Sequence, residues 1–293
     1  DKVITIDKAT GQIIWNTDTS YRGLWEVLRL ACTDNDVYYY KLKTEQADKQ
    51  SQNALIFLTN IDVWGAFKNV FILTYRFDTL DFSMYCRLHN IPVNYYHIED
   101  STFKKGYKKE YPKGLKELVF DETFSLPGTA LSKNWYRKQA DGNTKDLRKL
   151  KAKLRTFIRK AKGKYIWSTF KDFKGTLSGR DVSPTQRPQD NKENQKTFSV
   201  ACKQKATNDY KDRTYVAYTC NSYMHPVMAQ LLKRQGVTFD EEQWALSGLI
   251  QFVWRSNLRE VNNKKPVHVF IPSERMRTLF KNWVDEGIAN GAL

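Results

Sequence analysis

Short apolar runs alternate with amphipathic stretches along most of the chain, and this alternation predicts its secondary structure. Runs of four to eight residues rich in Val, Ile and aromatic side chains are typical of strands. Such runs predict strands in DKVITID, at Val70–Leu73, and in NIPVNYYHI, KYIWSTFK, TFSVACKQ, RTYVAYTCNS and KPVHVFIP. The apolar content of these runs favours strands that are buried on both faces.

Helical periodicity appears between the apolar runs. It predicts helices at Met84–Asn90, over residues 147–161, in HPVMAQLLKRQG, in ALSGLIQFVWRSNLRE and in SERMRTLFKNWVDEG. Pro226 and Gly236 are typical of a helix start and end, and Ser273 with Glu274 predicts a capped amino terminus. Strands that alternate with helices predict an α/β fold with a largely parallel sheet. The polar stretch 177–197 contains two prolines and is predicted to be a mobile loop.

Charge is concentrated in one part of the sequence. The formal net charge is +16 and the pI is about 9.5. Residues 104–164 contain 19 Lys or Arg and 6 Asp or Glu, which leaves the rest of the chain nearly neutral. Such a balance favours a polyanionic partner, nucleic acid before membrane.

Within this basic block, residues 147–161 have the pattern of an amphipathic helix. One predicted face is apolar and comprises Leu147, Leu150, Leu154, Phe157, Ile158 and Ala161. The remaining positions carry Lys149, Lys151, Lys153, Arg155, Arg159 and Lys160, which can follow a row of phosphates. Aromatic residues interleave with the charges and can stack on bases; they are Phe103, Tyr107, Tyr111, Trp135 and Tyr136. We therefore expect contact with nucleic acid, although a solvated surface helix has the same pattern.

Other classes of protein find little support in the sequence. No apolar run reaches the roughly 18–20 residues of a membrane span, and no signal-peptide pattern is present. The four cysteines are scattered, as is typical of a reducing cytosol. Cys86 and His89 have the spacing of metal ligands, but no second pair follows, so no metal site is predicted.

The stretch 245–260 carries a polar stripe on a predicted helix. Gln251, Arg255 and Arg259 are four residues apart and therefore share one side, opposite Leu246 and Val253. Two aligned guanidinium groups beside an apolar face suggest a nearby anion. A solvated helix face is the simpler interpretation.

Gln251 and Arg255 keep the spacing of the sixth motif of superfamily 2 helicases, Gln-x-x-Gly-Arg-x-x-Arg, while Trp254 replaces the glycine and Arg259 comes one residue late. FKNVFILTYRFD resembles the third motif region of these helicases. KYIWSTFKD resembles a strand of the motor domain whose end meets the nucleic-acid backbone, and FSVACKQKATNDY with TYVAYTCNSYMHP resembles the fifth motif region. Most of residues 10–285 resembles the C-terminal part of helicase-like proteins of phages and plasmids of Gram-positive bacteria.

The resemblance implies a function, a domain division and roles for individual residues. It implies an ATP-dependent DNA helicase or translocase, with the end of one RecA-like domain at 1–78 and a second at 79–293 that carries the basic block as an insertion. Arg255 and Arg259, with Gln251, would face the γ-phosphate, Thr74 would couple the two domains, and Thr207 and Asn208 would lie near nucleotide. Thr169 and Lys171 would meet the nucleic-acid backbone.

ATP and Mg²⁺ are implied as cofactors, but the chain contains no Gly-x-x-x-x-Gly-Lys-Ser/Thr loop to hold the phosphates. VITID ends in Asp7 and LVFDE in Asp121 and Glu122, and we interpret both as ordinary strand ends rather than magnesium-binding strands. Because the first residue is Asp1 rather than Met, we expect the phosphate loop upstream of it, and no ATP hydrolysis by this chain alone.

Two other functions remain open. A non-catalytic nucleic-acid-binding protein with a degenerate motor fold would explain the absent loop and the replaced glycine. A metal-dependent nuclease needs clustered carboxylates, and its candidates are Asp181, Asp190 and Glu193 in the polar loop. The expected setting is the cytoplasm of a bacterial host, with a role in DNA replication or repair of a mobile element.

Overall fold

The computed structural model describes residues 3–17, 22–42, 52–140, 144–178, 199–202, 209–260 and 265–291. The Cα packing divides the chain into two compact units. Asp1–Asn94 and Met224–Asp240 form the first unit, and Tyr95–Tyr223 and Glu241–Leu293 form the second. The predicted boundary between RecA-like domains at about residue 78 stays a prediction, because compactness alone does not assign a domain to a family.

The regular elements of the described residues are as follows, in chain order. The strands are β1 (Ile4–Ile6), β2 (Ile13–Trp15), β3 (Asn35–Leu42), β4 (Gln52–Thr59), β5 (Tyr96–Glu99), β6 (Thr102–Lys105), β7 (Leu118–Phe120), β8 (Tyr165–Ser168), β9 (Tyr215–Tyr218) and β10 (Val267–Phe270). The helices are α1 (Leu24–Asp34), α2 (Asp62–Gly65), α3 (Asp81–Leu88), α4 (Lys133–Ala140), α5 (Lys145–Lys160), α6 (Lys174–Leu177), α7 (Pro226–Arg234), α8 (Glu241–Val253) and α9 (Glu274–Ala289).

A parallel sheet forms the centre of the second unit. Its strand order is β7-β10-β9-β8, and every neighbouring pair is parallel. Val269 of β10 lies opposite both Phe120 and Val216, and Val216 of β9 also lies opposite Ile166 of β8, so β10 and β9 are the interior strands. This sheet confirms the α/β prediction.

Helices cover both faces of the sheet, which explains why its strands read as apolar runs. On one face, α5 packs against side chains of the strands that include Tyr165, Trp167, Ala217 and Phe270. On the other face, Phe252 of α8 contacts Tyr218, with ring centroids 5.5 Å apart, and Phe280 of α9 contacts Phe120 at 5.8 Å. The basic helix is thus part of the crossover from β7 to β8 and belongs to the core.

The first unit is built from antiparallel pairs. The strands β1 and β2 form one pair, and β3 and β4 form another. Tyr38 and Tyr40 of β3 pack against Val227 and Leu231 of α7. The prediction of a buried strand in VITID was wrong about burial, because Ile4–Ile6 lies in a two-stranded sheet with its side chains exposed or half-buried.

The predicted strand at Val70–Leu73 was wrong. Residues 66–76, all of which are described, contain no strand, and Phe71 and Leu73 are 83% and 90% exposed. The apolar run upstream of it, Gln52–Thr59, is the strand instead, because it pairs along its full length with β3. An apolar run becomes a strand only where a second strand can take its backbone hydrogen bonds.

The predicted helix over 245–260 ends early. Helix α8 stops at Val253, after which Arg255 N donates to Phe252 O and Ser256 N to Val253 O, both shorter-range bonds than those of an α-helix. Ser256 has extended backbone angles, and its hydroxyl donates to Val253 O at 2.7 Å. The polar stripe through Gln251, Arg255 and Arg259 is therefore not a continuous helical stripe.

NIPVNYYHI was also assigned to the wrong kind of strand. Only Tyr96–Glu99 forms a strand, and it pairs antiparallel with Thr102–Lys105 in an exposed hairpin outside the parallel sheet. Other predictions are confirmed. Pro226 lies at the start of α7, and the hydroxyl of Ser273 accepts a hydrogen bond from Met276 N at the start of α9.

Candidate nucleic-acid interface

Helix α5 begins and is anchored as its sequence requires. Thr144 caps its amino end by accepting a hydrogen bond from Leu147 N, and Asp146 lies in the first turn, where a negative charge is favourable. Its buried residues are Leu147, Leu150, Leu154, Phe157 and Ile158, as predicted. The Phe157 ring lies 5.2 Å from Tyr215 and 5.4 Å from Phe270, measured between ring centroids. Packing against the sheet therefore sets which side of the helix faces outward.

The outward side of α5 is strongly basic. Of its 16 residues, eight are Lys or Arg and one is Asp. The exposed cations are Lys145, Arg148, Lys149, Lys153, Arg155, Arg159 and Lys160. Lys151 is half-buried because it borders the apolar face. Lys145 and Arg148 were not among the binding residues predicted from the sequence, although their spacing from Lys149 and Arg155 places them on the same side of the helix.

The turn after α5 fixes the direction of the helix. Lys164 N donates to Ala161 O, and Lys162 and Gly163 adopt left-handed conformations, so the chain reverses directly into β8. The amino end of α5 therefore lies toward the carboxyl edge of the sheet. At that edge Lys171 is exposed, but Thr169 is only 6% exposed and lies beside Tyr136 and Cys220. Of these two predicted backbone contacts, Lys171 alone presents its side chain to solvent.

Polar side chains at the carboxyl edge of the sheet hold the surrounding loops. Asn221 donates to Gly128 O and Ala130 O at 3.1 and 3.0 Å, and its own side-chain oxygen accepts from Arg275 at 3.0 Å. The Tyr136 hydroxyl donates to Thr219 O at 2.8 Å, and its burial raises the pKa of that phenol well above the ordinary range. These contacts fix the start of α4 to β9, so they are structural.

Arg255 lies inside the second unit. It is 6% exposed, its guanidinium donates to Ala201 O at 3.4 Å, and it lies 5.8 Å from the Phe252 ring. Burial lowers the pKa of Arg255, while the nearby Cys202, Tyr210 and Tyr218 oppose that shift. Among the described residues, no carboxylate forms an ion pair with it. The structure thus places this residue in a core, whereas the resemblance implied a side chain that faces a γ-phosphate.

The other residues that the resemblance assigned are spread over the chain. Gln251 is half-buried and donates to the Ser247 hydroxyl at 3.5 Å, and Arg259 is exposed in a short 3-10 helix at Asn257–Arg259. Thr74 is exposed and lies within residues 66–76, which contain no helix or strand. Thr207 and Asn208 lie outside the described residues, as do most of the predicted loop 177–197 and the carboxylates Asp181, Asp190 and Glu193.

The structure describes no candidate metal centre. Within the ranges given above, no three His, Cys, Asp or Glu side chains lie close enough together to hold a metal ion. Cys86 is buried, and His89 Nε2 lies 3.8 Å from an Asp36 carboxylate oxygen. In the same ranges, no helix is long and apolar enough to cross a membrane.

A parallel four-stranded sheet with helices on both faces defines a Rossmann-like α/β domain. The chain belongs to the family described as the YonV C-terminal Rossmann-like domain, which matches residues 115–284 and so covers more than half of it. It is also 26% identical to the SPbeta prophage-derived uncharacterized protein YonV of Bacillus subtilis (strain 168).

This similarity to YonV extends over 302 aligned residues, 96% of this chain and 66% of YonV, so the chain spans slightly less than two thirds of that relative. No solved structure matches the chain. The expected similarity to proteins encoded by phages is therefore supported by this prophage-derived relative. No helicase family is among these similarities.

Proposed function

We propose that this protein binds nucleic acid through the basic side of α5. The observation that carries the proposal is the combination of seven exposed cations with a helix whose opposite side is fixed in the core. A helix of 16 residues extends about 24 Å, which matches roughly seven phosphates along one strand at about 3.4 Å each. The contact is electrostatic and independent of sequence.

Reversal of charge on α5 tests the proposal. The triple variant Lys149→Glu, Lys153→Glu, Arg155→Glu should weaken binding to labelled single-stranded DNA by about 10-fold or more at moderate salt. The slope of log Kd against log salt should fall by about 0.7 for each phosphate that the variant no longer neutralises. Fluorescence anisotropy over a salt series measures both quantities.

A matched control separates local binding by α5 from net charge. Lys8, Lys68 and Lys233 are exposed lysines of the first unit, and their reversal to Glu changes the net charge by the same amount. The control should retain most of the affinity and its salt slope. Equal losses of affinity in both triple variants would show that the cations of α5 only add to the overall charge, and the proposal would fail.

An ATP-driven helicase is the more specific candidate, and it rests on the motif resemblance around Gln251 and Arg255. The described residues do not form a phosphate site: the chain has no Gly-Lys-Ser/Thr loop, and Thr207 and Asn208 lie outside the described ranges. DNA-stimulated ATP turnover, measured on a protein of the full length of YonV, tests this prediction.

A further inference from the structure

The hairpin of β5 and β6 exposes an apolar face that no described part of the chain covers. Tyr96 lies opposite Lys105 and Ile98 opposite Phe103, and opposite residues of an antiparallel pair share a face. Tyr96, Ile98 and Phe103 are 54%, 63% and 73% exposed. Contiguous exposed apolar side chains of this kind are a mark of interaction surfaces.

The hairpin has a defined conformation despite its exposure. Its two central turn residues, Asp100 and Ser101, have φ values of 48° and 61°, as the type I′ turn of a two-residue hairpin requires. At the open end, Gly106 N donates to Tyr95 O at 2.8 Å, and the Tyr95 and Tyr107 rings meet edge to face with centroids 5.6 Å apart. The turn and the strand pairing therefore hold these side chains together on one face of the hairpin.

The segment after the hairpin is fixed to α9. Lys109 forms an ion pair with Glu286, and the Tyr111 ring lies 5.8 Å from Trp283. Tyr111 and Leu115 approach Gly287 so closely that a Cβ atom at that position would overlap both side chains. The base of the hairpin is thus held on the domain that carries α5.

The charges around the face indicate its partner. Lys105 lies on the apolar face and Lys104 on the reverse face, and no carboxylate of the described residues pairs with either. The two acids of the hairpin, Glu99 and Asp100, lie at its tip, where Glu99 pairs with Lys108 at 3.1 Å. Aromatic rings beside lysines match an unpaired nucleic-acid strand, which offers flat apolar bases next to phosphates.

We propose that Tyr96 and Phe103 stack on unpaired bases of a single-stranded nucleic acid, while Lys105 contacts the adjacent phosphate. This inference rests on the proposed function and makes it more specific, because it assigns the single-stranded form as the preferred ligand. The cations of α5 can contact phosphates of either single-stranded or duplex nucleic acid, whereas stacking requires bases that are unpaired.

The test compares single-stranded and duplex binding by the whole chain. The double variant Tyr96→Leu, Phe103→Leu keeps apolar volume and removes both rings. Its Kd for a labelled oligothymidylate of about 20 nucleotides should rise about 10-fold with an unchanged salt slope, because stacking releases no counterions. Its Kd for a duplex of the same length should stay as in the wild type. The aromatic replacements Tyr96→Phe and Phe103→Trp should retain single-strand affinity.

The controls keep this inference separable from the proposed function. Phe67→Leu with Phe71→Leu removes two other exposed rings and should leave binding unchanged. Wild-type single-strand affinity in the hairpin variant, with weaker binding by the α5 variant, would overturn the hairpin inference and leave the proposed function standing. Equal losses of affinity for both ligands would overturn base stacking. Failure of the wild type to bind either ligand would remove both proposals. A change in sedimentation with unchanged DNA affinity would assign the face to a second copy and overturn the inference.

Discussion

Replacement of Arg255 separates a structural role from the role that its sequence context suggests. As an arginine presented to a phosphate, it would be replaceable by alanine with little loss of stability. The structure instead buries it to 6% exposure, with one hydrogen bond to Ala201 O. We therefore expect Arg255→Ala to destabilise the second unit.

The size of the effect follows from what the side chain contacts. Alanine removes two buried methylene groups, which contribute about 0.8 kcal/mol each, and one hydrogen bond worth about 1 kcal/mol. Removal of a buried cation that lacks a carboxylate partner among the described residues offsets part of this loss. The net loss should be about 2 kcal/mol. Arg255→Met keeps an unbranched apolar stem, with a thioether in place of the second methylene, and removes the charge, so it should remain within about 1 kcal/mol of the wild type.

Urea unfolding, followed by tryptophan fluorescence, measures both variants, and Trp167, Trp254 and Trp283 report on the second unit. An alanine variant as stable as the wild type would show that Arg255 does not pack in the core, and our reasoning would be wrong. If methionine destabilises as much as alanine, the hydrogen bond and the charge matter rather than the packing of the stem.

Two further predictions concern stability. Gly287→Ala should destabilise the protein by about 1–3 kcal/mol, because the added methyl group overlaps Leu115 and Tyr111. Gly248→Ala, in the open middle of α8, should instead stabilise it by up to about 1 kcal/mol. Equal urea midpoints for the two variants would contradict the close packing at Gly287. Burial and Lys160 lower the pKa of His268, so the unfolded state binds a proton more readily than the folded state. The contribution of His268 to the free energy of unfolding should therefore be complete above about pH 6.5 and decrease below it. His268→Gln should reduce this loss of stability at low pH, as measured by urea midpoints over a pH series. The same pH dependence in the variant and the wild type would refute the role of His268.

Features that depend on neighbouring residues along the chain were predictable from the sequence. The apolar residues of α5 recur every three or four positions, and Ser273 caps α9 by accepting a hydrogen bond from Met276 N, three residues along the chain. The apolar strands and intervening helices predicted an α/β fold, since strands covered on both faces need apolar side chains in succession. The charge of the outer side of α5 follows from the same periodicity, and so does its candidate role.

Tertiary structure alone decided the features that depend on partners distant in sequence. Gln52–Thr59 became a strand because β3 accepts its hydrogen bonds, and the equally apolar Val70–Leu73 found no such partner. The order β7-β10-β9-β8 sets side by side two strands about 150 residues apart, which no local pattern specifies. Arg255 likewise looked like a surface residue in a helical pattern. It became buried because α8 ends at Val253 and the guanidinium packs beside Phe252 with a hydrogen bond to Ala201 O, contacts that exist only in the assembled fold.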